Sequence, residues 1–154
     1  MSAIEARLAA LGITLPPPRK PAFGDVPVAV EGGLAWVSGQ LPWDGDALMG
    51  KGRLGAEVDV ETGRAIARCC LLNGLSVLRE ALGSLDRVNR IVYVGGFVNA
   101  VSGFTDSPAV INGASDLLVA VFGEAGKHAR AAVAVAGLPK DSTVEIQVVA
   151  EVKD

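Results

Sequence analysis

The stretch "DVETGRAIARCCLLNGLSVLREALG" (59–83) limits the fold of this chain more than any other. Asp59 has the chemistry of a helix N-cap and Gly83 that of a C-terminal stop, so the pattern between them reads as one long helix to Leu82. Glu61, Arg64, Arg68, Ser76 and Arg79 make a polar stripe, while Ile66, Cys70, Val77 and Ala81 fall on another side. Apolar residues take more than half of the circumference. A helix of that kind must be covered on more than one side.

Strands supply the cover. "VPVAV" and "LAWVSG" flank Glu31-Gly32-Gly33 and read as two strands joined by a tight glycine turn. "VNRIVYVGGFVNA" reads as a third. A second helix is expected from Pro108 to about Phe122, with Ser107 as cap and Pro108 in the first turn. "ARAAVAV" (129–135) and "VEIQVVAEV" (144–152), separated by "GLPKDST", read as a closing antiparallel hairpin. The order strand, strand, helix, strand, helix, strand, strand is that of an α+β domain, with two long helices on one face of a mixed sheet. Before it, Ser2 and Glu5 read as a capping box that opens a short helix to about Leu11, and "PPPRKPAFG" as an extended link. Residues 1–20 are thus an N-terminal helix with a Pro-rich extension, and 21–154 a single domain. Residues 40–57 carry four glycines and read as a loop, of a length that usually hides structure or serves a function.

Composition excludes several classes of function. Half of the residues are hydrophobic and 20% are charged, with a net charge of -3 and a pI near 5.2. Lys and Arg are scattered, so a broad phosphate-binding surface and nucleic-acid binding are not expected. The opening "MSAIEARLAALG" is too charged for a secretory signal, and no run of 18 apolar residues predicts a membrane span. Cys69 and Cys70 are helix neighbours whose side chains diverge by about 100°. They read as packing thiols rather than nucleophiles or a disulfide, which fits a reducing cytoplasm. With His128 the sole histidine, no metal site is expected.

Three constellations invite a sharper reading. "GKGRLG" (Gly50, Gly52, Gly55) matches a dinucleotide fingerprint by letter, but the helix begins too late and no acid follows at a strand end. It reads as a mobile glycine loop. His128 lies two residues before Arg130 and is either a general base or an ordinary loop histidine. Arg130 itself opens a strand on the same side as Ala132, Ala134 and Ala136. That alanine face leaves room beside a guanidinium, whose fork fits a carboxylate bidentately; the alternative is a rim ion pair.

"WVSGQLP" (36–42), "INGASDLLVAVFG" (111–123) and above all "ARAAVAVAGLPKDSTVEIQVVAEV" (129–152) resemble the YjgF family of reactive-intermediate (imine and enamine) deaminases, in its longer-loop branch. The resemblance implies a chorismate-mutase-like α+β fold and a homotrimer with three clefts between subunits. It implies that Arg130 grips the carboxylate of a small imino or keto acid. Ala132 then offers its backbone N–H, Ser38 and Gly39 approach through "SGQ", Glu145 positions a water, and Asn112 matches a helix asparagine near the cleft. The implied activity is hydrolytic deamination of short 2-imino or enamine acids to 2-keto acids and ammonia, a reaction expected to need no metal or organic cofactor. Non-catalytic binding of a 2-keto acid is the alternative, and RNA cleavage a third reading. The chain departs from the family pattern in two places: Asp25 and Val26 stand in the segment where many deaminases have a tyrosine, and Ala132 where a cysteine is usual.

Overall fold

The computed structural model describes residues 2–21 and 23–154. A short helix α1 (Ala3–Ala10) precedes strands β1 (Val28–Glu31) and β2 (Leu34–Gln40), then a two-stranded ribbon β3 (Trp43–Asp44) and β4 (Ala47–Leu48). Helix α2 (Val60–Leu82), strand β5 (Val88–Asn99), helix α3 (Ser107–Phe122), and strands β6 (Ala129–Val135) and β7 (Val144–Val152) complete the chain. Asp59 accepts a hydrogen bond from the backbone N–H of Thr62 at 2.8 Å, and Gly83 closes α2 in the left-handed region. The α3 cap falls one residue earlier than the sequence suggests: Ser107 is already helical, and Asp106 at the cap makes no side-chain bond.

The five-stranded sheet has the order β1-β2-β7-β5-β6. Gly32 and Gly33, both at positive φ, make the two-residue turn between β1 and β2. The expected β6–β7 hairpin does not form. β6 instead pairs in parallel with β5, while β7 sits between β2 and β5. The physical reason is the crossover: β5, α3 and β6 form a βαβ unit, in which a packed helix returns the chain to the same end of the sheet. Segment 136–143 must then carry the chain past β5 to reach the central position of β7.

Strand alternation divides the sheet into two unlike faces. Ala35, Val37, Val94, Val98, Ile146, Val148 and Ala150 are buried beneath α2 and α3. The opposite face carries Trp36, Tyr93, Phe97 and Val133 around a buried Val149, and among the described residues no helix or strand packs over it; Trp36 is 47% and Val133 44% exposed. On the covered side the layers approach closely through glycines. A Cβ on Gly96 would lie 2.6–2.8 Å from three carbons of Ile111, and one on Gly113 would strike the Arg64 backbone. Helix α3 with the 3-10 turn after it (107–126) is apolar and long enough by composition to cross a membrane, but its Val110, Ile111, Ala114, Leu117 and Leu118 are spent on this core.

The extension covers α2 on its remaining side. Ser76, which the sequence placed in the polar stripe, is 1% exposed and donates to the Pro16 carbonyl. Leu8 and Leu15 are buried in the same hydrophobic core. Only half of the capping box forms: the Ser2 hydroxyl accepts from Glu5 N–H, while the Glu5 carboxylate pairs with Arg79 at 2.9 Å. The Asp86 carboxylate accepts the free N–H groups of Ala3 and Ile4 at 3.2 and 2.9 Å.

Candidate functional site

Arg130 stands at the start of β6, in register with Val94, and therefore on the helix-covered face with Ala132 and Ala134. Its Nη1 donates to the Ser115 hydroxyl of α3 at 3.1 Å, and Nη2 lies 3.5 Å from the Pro108 carbonyl. Among the described residues no carboxylate reaches it within 4.0 Å, so the rim ion pair is not what holds it. The hydroxyl is fixed in turn. Nε2 of His128 lies 2.9 Å from Ser115 Oγ, and Nδ1 lies 2.7 Å from the Gly126 carbonyl. A carbonyl only accepts, so Nδ1 carries the proton; in the neutral ring Nε2 then accepts from the Ser115 O–H. Ser115 oxygen is left to accept from Arg130. A guanidinium held firmly at Nη1 and more loosely at Nη2 still has three of its five N–H donors for an incoming anion.

Glu145 stands on the other face of the sheet, opposite Phe97 of β5. A bulge in β2 between Val37 and Gln40 interrupts its pairing with β7 and turns Gly39 against the Glu145 side chain. The fit is close: a Cβ on Gly39 would fall on the Glu145 carboxylate oxygen and lie 3.0 Å from its Cδ. Both residues line a cleft of about 440 Å³ together with Ser38, Asp25 and Lys140. Burial pushes the Glu145 carboxyl above its ordinary value. A half-buried carboxylate with a raised pKa, facing an open cleft, is suited to accepting a proton from water.

The remaining sequence candidates separate. The Ser38 hydroxyl is spent on the Val26 carbonyl at 2.7 Å and its N–H on Pro27 at 2.9 Å, so Ser38 fastens the segment before β1 along the cleft wall. That brings Asp25 to the cleft at the place where the resemblance would put a tyrosine. Ala132 packs against the core on β6, which stands at the edge of the five-stranded sheet. Asn112 is not with either group: it lines a groove between α2 and α3 with Arg64, Arg68 and Asp116. Arg130 and Glu145 are themselves apart, on opposite faces with β5 between them.

Sequence reasoning missed Ser115 as the support of Arg130. His128 and Arg130 share one strand face at a spacing of two, a signal present in the chain, but only the βαβ crossover brings α3 above them. The "GKGRLG" loop is pinned rather than mobile. Gly52 N–H bonds to Asp141 at 3.0 Å, Leu54 N–H to Asn99 at 2.9 Å, and Gly50 carbonyl receives Thr143 at 3.3 Å. These N–H groups are thus unavailable to cradle a phosphate. Both cysteines are free, and burial raises both thiols, that of Cys70 strongly, which suits packing rather than nucleophilic attack.

Residues 5–152 match the family described as "YjgF/chorismate_mutase-like, putative endoribonuclease". "Protein TCP17" of Trypanosoma cruzi is 44% identical over 152 residues, which is 98% of this chain and 95% of that protein. The crystal structure of protein Atu1372 from Agrobacterium tumefaciens, described as of unknown function, is 41% identical with a TM-score of 0.89, covering 98% of this chain and 92% of that one. A "putative endoribonuclease" from Shewanella oneidensis is 33% identical with a TM-score of 0.93, covering 98% and 100%. With its mixed sheet, its two long helices on one face and a match across nearly its whole length, the chain belongs to the YjgF/chorismate-mutase-like family.

Proposed function

We propose that this protein hydrolyses short 2-imino or enamine acids to 2-keto acids and ammonia, in clefts formed between copies of the chain in a homotrimer. The observation that carries the reading is Glu145, a half-buried carboxylate with a raised pKa, pressed against Gly39 on an open cleft. An imine carbon is already electrophilic, so the protein need only hold the substrate and aim a water at it. Glu145 takes a proton from that water as its oxygen bonds to the C=N carbon, and returns it to the imine nitrogen to give the amino alcohol. The hydroxyl then passes its own proton to the nitrogen as the C–N bond breaks, leaving the keto acid and ammonia with Glu145 restored. Proton acceptance by a positioned carboxylate contributes on the order of 10²–10⁴-fold in rate.

Arg130 supplies the hold on the substrate carboxylate, worth roughly 1.5–3 kcal/mol net for a charge-assisted bond. Since Arg130 and Glu145 of one chain lie on opposite sheet faces, one copy contributes the arginine and another the glutamate. The uncovered apolar face bearing Trp36, Phe97 and Val133 supports such an assembly, because a packed sheet face of this composition needs a partner layer. Asp25, where a tyrosine is usual, favours one other reading, binding of a 2-keto acid without turnover. The test is ammonia release from 2-aminoacrylate and a longer imino acid generated in situ, with RNA cleavage assayed on the same preparation. Accelerated ammonia release with intact RNA is expected. Release no faster than without protein overturns the deaminase reading.

A further inference from the structure

The Glu145 cleft holds more positive charge than a small mono-carboxylate needs. Arg19 and Lys20, from the Pro-rich extension, and Lys140, from the turn before β7, line the same cavity as Glu145 and Asp25. Among the described residues none of the three cations has a carboxylate within 4.0 Å. Nor does any cation contribute to the shift of Glu145, which burial alone explains. The charges are therefore spent neither on the catalytic carboxylate nor on its neighbour.

Two of the cations are also held in place. The Arg19 guanidinium stacks 3.8 Å from the Trp43 ring centre, and its Nη1 donates to the Gly45 carbonyl at 2.8 Å. A guanidinium held over an indole face keeps the donors that Gly45 does not take available to an oxyanion. Lys140 and the next residue, Asp141, both have left-handed backbone, at φ 57° and 59°. That turn is anchored by Asp141, whose carbonyl receives Gly52 N–H at 3.0 Å and whose carboxylate receives Asn99 Nδ2 at 3.2 Å. The chain accepts an uncommon conformation there and presents a lysine to the cleft.

We propose that Arg19, Lys20 and Lys140 form a second anion subsite, so that the substrate is a dianion: a 2-imino acid with a distal carboxylate or phosphate. The inference rests on the deaminase reading, in which Arg130 takes the first carboxylate, and adds the class of side chain at the far end. A distal group there also keeps the substrate in one orientation relative to Glu145.

The experiment is calorimetric titration of the full chain with 2-ketobutyrate, 2-oxoglutarate and 3-phosphohydroxypyruvate, in the parent and in Arg130→Ala and Lys20→Ala/Lys140→Ala forms. One dianion is expected to bind on the order of 10-fold more tightly than 2-ketobutyrate, the scale of a charge-assisted bond partly screened by water. Which one binds tighter distinguishes carboxylate from phosphate. The preference is expected to fall towards one in the double lysine variant and to weaken with added salt. Equal binding of all three ligands by the parent, or a preference that survives loss of both lysines, overturns the second subsite. In that case, 2-ketobutyrate binding that still depends on Arg130 leaves the deaminase reading standing. A dianion preference lost with the lysines but indifferent to Arg130→Ala sinks the arginine clamp and keeps the subsite. Binding of none of the three overturns both.

Discussion

Gly39→Ala separates the chemistry of the cleft from the stability of the fold. The three atoms nearest to an added Cβ all belong to the Glu145 side chain, its carboxylate oxygen first and its Cδ at 3.0 Å. Gly39 itself is exposed and does not require positive φ, so alanine strains nothing in the backbone. The collision is with the far end of a flexible side chain, which can turn aside at a cost of about 0.5–1.5 kcal/mol. The reacting geometry cannot turn aside so cheaply, since a displacement of about 1 Å at the proton acceptor costs on the order of 10²-fold in rate. That loss is roughly 2.7 kcal/mol in the barrier, larger than the expected loss in stability. Gly96→Ala is the contrasting variant. There the new methyl meets Ile111 at 2.6–2.8 Å inside the core, where overpacking costs about 1–3 kcal/mol of stability. Denaturant melts and ammonia-release rates on both variants check the reasoning. Parental turnover in a folded Gly39→Ala protein would show that the placement of Glu145 against Gly39 has no part in the reaction.

Arg130→Lys is expected to lose at least about 10-fold in 2-ketobutyrate affinity with little change in melting temperature, because a point charge does not replace a planar fork. Ser115→Ala, which removes the oxygen at 3.1 Å from Nη1, is expected to give a smaller loss in the same titration; parental affinity in both variants would make Arg130 an ordinary surface cation. The raised pKa of Glu145 fixes the sign of a stability effect: the folded chain binds that proton more tightly, so its stabilising contribution is complete at acid pH and is lost as pH rises through the raised value. Melts of Glu145→Gln against the parent should therefore coincide at acid pH and favour the variant above that window; no divergence on raising the pH contradicts the burial of the charge. Sedimentation is expected to report a trimer, and a mass near one 15.7 kDa chain would remove the shared cleft.

Local chemistry was legible in the residues themselves. Asp59 and Gly83 mark the ends of α2, and Gly32-Gly33 mark a hairpin turn, because caps and positive-φ turns depend on neighbours in the chain. The alternation that puts Arg130 with Ala132 and Ala134 on one face is local as well, and the structure keeps it. Strand partners are another matter. Adjacent "ARAAVAV" and "VEIQVVAEV" look like a hairpin, yet β7 pairs with β2 and β5 and leaves β6 at the edge. That choice depends on α3 packing over β5 and β6, an energy summed over buried contacts distant in sequence. The same long-range packing buries Ser76 under Pro16, sends Asn112 to an outer groove and sets Ser115 against Arg130. Residue type and spacing thus determined which groups could act. Only tertiary packing decided which of them face one another, and it set Arg130 and Glu145 on opposite sides of one sheet.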